Sequence, residues 1–424
     1  MKITYNGLKI TDNSKECDSS TLFLSTKQNS RYFDNLKKRG FKRIISSKEL
    51  QQIFDTKDIK IVGITGTNGK TTTAAAIYSL LLDLGFSVAL QGTRGFFING
   101  KRVEEKSLTT PSIFETLLHL KTAKKQGCDY FIMEVSSHAI SQDRIEGLEF
   151  DLKIFTNISQ DHLDYHKSME EYKRVKSSFF NDESKKLINK DGGKIDYNIK
   201  NAMSYSLEYP ATYKIEAYSL QNGIQAVIKH FNRFVEFASP MVGLFNLYNL
   251  TAAIAATHIL TKKDLELITK EVENFAGVSG RMEVISQKPL VIVDFAHTPD
   301  GMQKVLDTIK DRDISVVFGA GGDRDKTKRA LMGKVANNFA KKIYVTSDNP
   351  RSEDPLEIIK DIVQGIDNPN TLIIPDREKA IKKAIEELKE DEVLFILGKG
   401  DEEYQEVNGK KTPFSDKEIV QSML

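Results

Sequence analysis

The chain has 424 residues, 40% hydrophobic and 28% charged, with a formal net charge of +2 at pH 7. That length allows roughly two to four domains with buried cores, and the near-neutral charge gives no reason to invoke nucleic acid or an anionic membrane. The opening residues lack the apolar core of a signal peptide, no run is long enough to span a bilayer, and Cys17 and Cys128 form no metal or redox motif, so a monomeric cytoplasmic enzyme with reduced thiols is expected.

Residues 1–58 are polar and weakly patterned, with one clear strand at 21–25, and predict a small α+β unit. From residue 59 strands and helices alternate. Strands at 61–65, 87–91, 130–135 and 152–157 are separated by helical stretches at 71–85, 112–127 and 168–180, the pattern of a parallel sheet covered by helices. Asn99-Gly100 marks a hairpin, and 203–240, with Asn222-Gly223, predicts an antiparallel β insertion before a helix at 246–260. A third unit begins near Met282, with strands at 290–295, 314–319, 342–347, 371–375 and 392–397. Its helix from Asp376 to Leu388 carries acids early and lysines later, as the helix dipole favours. The expectation is an α/β protein of three domains: an N-terminal α+β domain (1–58), a central phosphate-loop domain with a β insertion (59–282), and a C-terminal Rossmann-like domain (283–424).

The chemistry starts at Gly66-Thr67-Asn68-Gly69-Lys70-Thr71, between a strand and a helix. Glycines let backbone N–H groups curl toward phosphate oxygens. The helix N-terminus adds positive potential, Lys70 a point charge, and Thr71 a hydroxyl for Mg²⁺. The general spacing fails, because Ile64 stands where a first glycine belongs and Gly66 lies only three before Gly69. The loop predicts a nucleoside triphosphate without saying which reaction uses it. Glu134, at the end of the strand at 130–135, is well placed for Mg²⁺ although a solvated strand-end acid looks the same; His162 follows the strand at 152–157 and could equally be an ordinary loop histidine.

Thr109-Thr110-Pro111, Glu134-Val135-Ser136-Ser137-His138, the stretch from Asn157 to His162, and Gly243-Leu244-Phe245-Asn246 follow the loop in order. Gly280-Arg281-Met282-Glu283, Val293-Asp294-Phe295-Ala296-His297-Thr298-Pro299 and Gly321-Gly322-Asp323-Arg324-Asp325-Lys326 complete a set that resembles the Mur ligase family, from about residue 60 to the end. Within it the motifs are most similar to members adding the third amino acid of the peptidoglycan stem. The resemblance implies domains for a UDP group, ATP and an incoming amino acid. A substrate carboxylate attacks the γ-phosphate of ATP, and an amine then displaces phosphate from the acyl phosphate. The substrates implied are UDP-N-acetylmuramoyl-L-alanyl-D-glutamate and meso-2,6-diaminopimelate.

On matching positions, Gly66, Thr67, Asn68, Gly69, Lys70, Thr71 and Thr72 take the phosphates, and Asn246, Arg281, Asp294 and His297 complete the nucleotide site. Thr71, Glu134, His162 and Lys176 fall on Mg²⁺ positions, with Lys70, Glu134, His162 and Lys176 central to catalysis. Lys176 alone reads as part of a charged surface helix; the resemblance implies that it is carbamylated, an anionic ligand. Thr109, Thr110, Ser136, Gln142 and Arg144 would meet the UDP-sugar peptide. Ser14 matches a uridine-site position, although its flanks depart from the usual pattern.

Asp348-Asn349-Pro350-Arg351 resembles the family's meso-diaminopimelate signature, and Arg324, Gly398 and Glu402 match other positions around that amino acid. The distal end of meso-diaminopimelate carries a carboxylate and an amine. A guanidinium binds that carboxylate bidentately and repels the bare ammonium of lysine. Asp401 departs from the usual Gly-Lys-Gly-His-Glu. The alternatives are the same mechanism with L-lysine, a folylpolyglutamate-type ligase, a phosphate-loop kinase or NTPase, and a non-enzymatic nucleotide switch.

Overall fold

The computed structural model describes residues 1–424 apart from 39, 42, 106, 107, 222, 310 and 311. Three sheets organise the chain. The first has four strands in sequence order, Lys2–Tyr5, Leu8–Thr11, Thr21–Leu24 and Ile44–Ile45. Only Thr21–Leu24, with three buried residues, was evident from the sequence; Leu8–Thr11 buries two, and Lys2–Tyr5 and Ile44–Ile45 bury none. Its apolar side does not form a separate core. Ile10, Leu24, Leu50 and Phe54 join a cluster with Ile61, Phe131 and Phe155 of the second sheet.

The second sheet has eleven strands. At its centre Leu152–Phe155, Lys60–Thr65, Tyr130–Glu134 and Val88–Gly92 run parallel in that order. Helices Lys70–Asp83 and Leu244–Thr261 pack against it; Ala74, Ile77, Leu80 and Leu81 of the first meet Leu250, Ala253 and Ile254 of the second in one core. Gly95–Ile98 and Lys101–Glu104 form the hairpin expected at Asn99-Gly100.

The 203–240 region differs from expectation. It is no separate insertion but continues the same sheet, and Ala202–Ser206 and Tyr213–Ser219 pair parallel. Only Tyr213–Ser219, Ile224–His230 and Arg233–Ser239 are antiparallel. In the expected Asn222-Gly223 turn, Asn222 lies outside the described residues. The short strand Lys186–Asn189, unseen in the sequence, joins this extension to the parallel core.

The third sheet has six strands. Glu283–Gln287 is antiparallel at one edge, followed in space by Leu290–Asp294, Val393–Leu397, Ile314–Phe318, Lys342–Val345 and Thr371–Ile373, all parallel. Two core clusters cover its faces. The helix expected from residue 376 is Arg377–Glu386, with the Asp376 carboxylate accepting from the Lys379 amide as its cap. A hairpin, Tyr404–Val407 with Lys410–Pro413, follows the last core strand. No helix among the described residues is long and apolar enough to cross a membrane.

Candidate active site

The strand ends of the second and third sheets open onto one cavity of about 1230 Å³. Lys60–Thr65 delivers the chain into the loop, and Gly69, at φ 84°, starts the helix Lys70–Asp83 with no side-chain cap. A left-handed residue there suits glycine, and the uncapped amides are left for an anion. A Cβ on Gly66 would sit 1.9 Å from Thr156 Oγ1, and one on Gly69 would sit 2.4 Å from Asn249 Oδ1. Gly66→Ala is therefore expected to destabilise the fold by about 1–3 kcal/mol and to weaken nucleotide binding, read by thermal unfolding with and without ATP; unchanged melting in both conditions would contradict this packing.

Lys70 Nζ donates to Gly66 O at 2.8 Å and Thr67 O at 2.9 Å, folding the ammonium over the loop, and burial pushes its pKa below the usual lysine value. Asn157, from the end of Leu152–Phe155, accepts from the Asn68 amide at 3.0 Å and so sets the loop's height. Thr72, in the first helical turn, lines the same cavity.

Glu134 is 2% exposed. One carboxylate oxygen accepts from Thr71 Oγ1 at 2.9 Å and the other from the Thr93 amide at 2.8 Å. Carboxylate and hydroxyl oxygens beside a phosphate loop are a hard donor set that fits Mg²⁺. His162 stands at a left-handed N-cap, φ 55°, with Nε2 3.3 Å from Asp161 Oδ2, and burial pushes its pKa well down, leaving a neutral imidazole able to ligate. Among the described residues, three metal-competent side chains converge within 4.8 Å only elsewhere, at Glu104, Glu115 and His119.

Lys176 corrects the surface-helix reading. In Met169–Ser178 it is 1% exposed, its Nζ 3.5 Å from Thr65 Oγ1 and 4.9 Å from the Tyr172 ring centroid. Burial pushes its pKa well below the usual lysine value, and the positive charge of Lys70 adds to that shift. Tyr172, Val175, Lys176 and Phe179 are all buried, an i, i+3, i+4, i+7 stripe legible in the sequence that places the lysine inside.

The third sheet supplies the other wall. Arg281 stacks on Phe295 at 4.0 Å, with its buried Nη1 lacking a hydrogen-bond partner. Such an orphaned donor in a cleft fits an anion. Asp294 accepts from the Met282 and Ala296 amides, both at 2.7 Å, so its carboxylate shapes the loop. His297 lines the cavity with Nδ1 on Phe295 O at 3.0 Å, and Asn246 Nδ2 donates to Val242 O at 2.9 Å. Asp300, not singled out from sequence, accepts from Asn68 Nδ2 at 2.8 Å and Ser159 Oγ at 2.9 Å, tying the two sheets together.

Asn349 and Glu402 meet deeper in: Asn349 Nδ2 donates to Glu402 Oε2 at 2.8 Å, and the fully buried Lys399 donates to both Asn349 Oδ1 and Glu402 Oε2. Lys399 was missed because a lysine between glycines reads as loop. A Cβ on Gly398 would sit 2.5 Å from Asp348 Oδ2. Arg351 follows Pro350 in a left-handed conformation, φ 52°. The hairpin holds it there: its N–H donates to Glu406 O at 3.1 Å, and the Asn408 N–H donates to its carbonyl at 2.6 Å. Arg351 Nη1 donates to Gly322 O at 2.7 Å, and Arg324 lines the same cavity.

A second cluster adjoins the first sheet. Thr110 Oγ1 donates to Glu134 O at 2.9 Å and to Ser136 Oγ at 3.3 Å; Arg144 donates to Thr110 O at 3.0 Å and holds Gln142, which Gln28 reaches at 3.3 Å. Thr109 Oγ1 lies within hydrogen-bond distance of Thr93 Oγ1, at 3.2 Å. Ser14 stands apart, in a 3₁₀ turn, Ser14–Glu16, and lines neither the main cavity nor the one at Ser25, Lys27 and Ser46.

A phosphate loop in the second sheet facing a second α/β wall defines a nucleotide-binding enzyme cleft, and the comparisons make it that of an ATP-dependent ligase. Residues 64–257 match the Mur ligase middle domain and residues 280–400 the Mur ligase glutamate ligase domain. The chain belongs to the Mur ligase family. It is 52% identical to a UDP-N-acetylmuramoyl-L-alanyl-D-glutamate--2,6-diaminopimelate ligase of Wolinella succinogenes, over 98% of this chain and 96% of that protein. The Helicobacter pylori ligase of the same name is 49% identical over 98% and 94%. The solved structure of a ligase of that name superposes with TM-score 0.66 at 30% identity, covering 98% of this chain and 94% of that one. The folylpolyglutamate synthase of Mycobacterium tuberculosis, at 14% identity, TM-score 0.68, and 83% and 91% coverage, shares the fold.

Proposed function

We propose that this enzyme joins meso-diaminopimelate to UDP-N-acetylmuramoyl-L-alanyl-D-glutamate at the expense of ATP. The observation that carries the reading is the single cavity lined at once by Lys70, Thr71 and Glu134 and by Arg324, Arg351, Gly398 and Glu402. Activation and amine delivery can therefore occur without release of an intermediate.

The helix N-terminus, Lys70 and Arg281 hold the triphosphate and offset charge as the glutamyl carboxylate oxygen bonds to the γ-phosphorus and the bond to ADP breaks. The amine nitrogen then bonds to the acyl carbon, phosphate leaves, and the ammonium proton is lost. Thr71, Glu134 and His162 would hold Mg²⁺, which would supply charge neutralisation at the phosphates when bound. Lys176 and Lys70 are two amines in one buried site, where both charged would repel. A neutral Lys176 amine is the form that adds CO₂: its nitrogen would bond to the CO₂ carbon and a proton would be released, leaving an anionic oxygen donor where a second cation would be unfavourable. Arg351 takes the distal carboxylate of meso-diaminopimelate, and Glu402 accepts from its distal ammonium. The UDP-sugar peptide lies along Thr109, Thr110, Ser136, Gln142 and Arg144, toward the N-terminal unit.

The test is phosphate release with ATP, Mg²⁺ and the UDP-dipeptide present. Release is expected on adding meso-diaminopimelate and not on omitting any one substrate. Release independent of the dipeptide would identify an NTPase instead.

A further inference from the structure

Asp401, next to Glu402, carries its carboxylate toward the second sheet. Its Oδ2 lies 3.6 Å from Nε of Arg94, and its side chain is only 14% exposed. Arg94 Nε is buried and has no hydrogen-bond partner. A buried donor left without an acceptor is costly, and here the nearest carboxylate stands a few tenths of an ångström beyond bonding distance, across the gap between two sheets.

Both ends are anchored. Arg94 follows Thr93, whose amide and hydroxyl both bond Glu134, and its own carbonyl accepts from Arg102 Nε at 3.3 Å and Nη2 at 3.0 Å. Asp401 precedes Glu402, and Gly280 packs so closely that a Cβ there would lie 2.1 Å from the Asp401 amide nitrogen. Among the described residues, polar links between these two parts also run from Asn68 and Ser159 to Asp300, from Gln160 to Thr327 and from Asp161 to Lys328, all starting from the phosphate loop or from residues 159–161. Arg94–Asp401 instead joins the segment holding Glu134 to the segment holding Glu402.

We infer that Arg94 and Asp401 form an interdomain latch, a pair of positioning residues whose closure sets the amino-acid pocket against the activated carboxylate. The latch rests on the ligase reading above. Shortening the gap gives the Arg94 donor its acceptor, so the orphaned bond favours the closed arrangement. A histidine at 401 would offer no permanent negative charge to Arg94.

The test uses the full chain and four variants: Arg94→Gln, Asp401→Asn, the double variant, and Asp401→Glu, which keeps the charge. Each single neutral variant is expected to lower kcat/KM for meso-diaminopimelate roughly three- to tenfold, with the double variant no worse than either single one and Asp401→Glu recovering most of the loss. Losses that multiply in the double variant, or singles without effect, would overturn the latch. Small-angle scattering with a non-hydrolysable ATP analogue supplies a readout independent of turnover: both neutral singles should have a larger radius of gyration than wild type. An unchanged radius would overturn the latch even in an inactive preparation. A wild-type enzyme that releases no phosphate would instead overturn the ligase reading.

Discussion

Replacing Lys176 with alanine is expected to lower kcat by roughly a hundredfold or more while leaving KM for meso-diaminopimelate within about threefold. The side chain is buried and feels the charges of Lys70 and Asp161, whereas Arg351 and Glu402 belong to the third sheet's wall, so its loss is expected to remove support for the phosphates and not for the amino acid. The carbamate adds a signature of its own. Forming it requires the neutral amine, and burial together with Lys70 shifts the lysine toward that form. Lowering the pH protonates the amine and expels CO₂, so dialysis in bicarbonate-free buffer near pH 5 should reduce activity, and bicarbonate at neutral pH should restore it. A carbamate resonance in ¹³C NMR with labelled bicarbonate should be present in wild type and missing in Lys176→Ala. Full turnover in the alanine variant would contradict the assignment.

Replacing Arg351 with alanine should act on the other half of the reaction. A charge-assisted bidentate contact to a carboxylate is worth about 2–3 kcal/mol, so KM for meso-diaminopimelate should rise roughly thirty- to hundredfold with a smaller change in kcat. The side chain is held by the hairpin at its backbone, by Gly322 O at Nη1 and by the Glu406 carboxylate 3.7 Å from Nε, which leaves Nη2 to turn toward the cavity in a fixed orientation. KM for ATP should stay near wild type. An unchanged KM for the amino acid would remove Arg351 from the pocket.

The alternation of strands and helices around the phosphate loop was plain in the sequence because parallel strands buried on both faces read as short apolar runs between helical periods. Tyr130–Glu134 and Ile314–Phe318, buried throughout, are such runs. What escaped depended on tertiary contact. Two of the N-terminal strands, Lys2–Tyr5 and Ile44–Ile45, bury no residue fully, and the unit gains its core from Ile61 and Phe131. Thr93 and Lys399 are polar residues next to glycines, indistinguishable locally from turn residues, yet one steadies Glu134 and the other is sealed between Asn349 and Glu402. Lys176 is the instructive case. Its neighbours Lys173 and Arg174 made the segment look solvated, while the buried stripe through Tyr172, Val175 and Phe179 already placed it inward. Asp401 could be recognised as a departure, but its partner lies three hundred residues earlier and only the folded chain brings Arg94 within 3.6 Å.

The most direct measurement is a competition. The enzyme is given ATP, Mg²⁺, UDP-N-acetylmuramoyl-L-alanyl-D-glutamate and equal amounts of meso-diaminopimelate and L-lysine, and the nucleotide product is weighed by mass spectrometry. A UDP-tripeptide carrying diaminopimelate, with little or none carrying lysine, is the expected result. A predominantly lysine-bearing product, or recovery of the dipeptide unchanged, would contradict it.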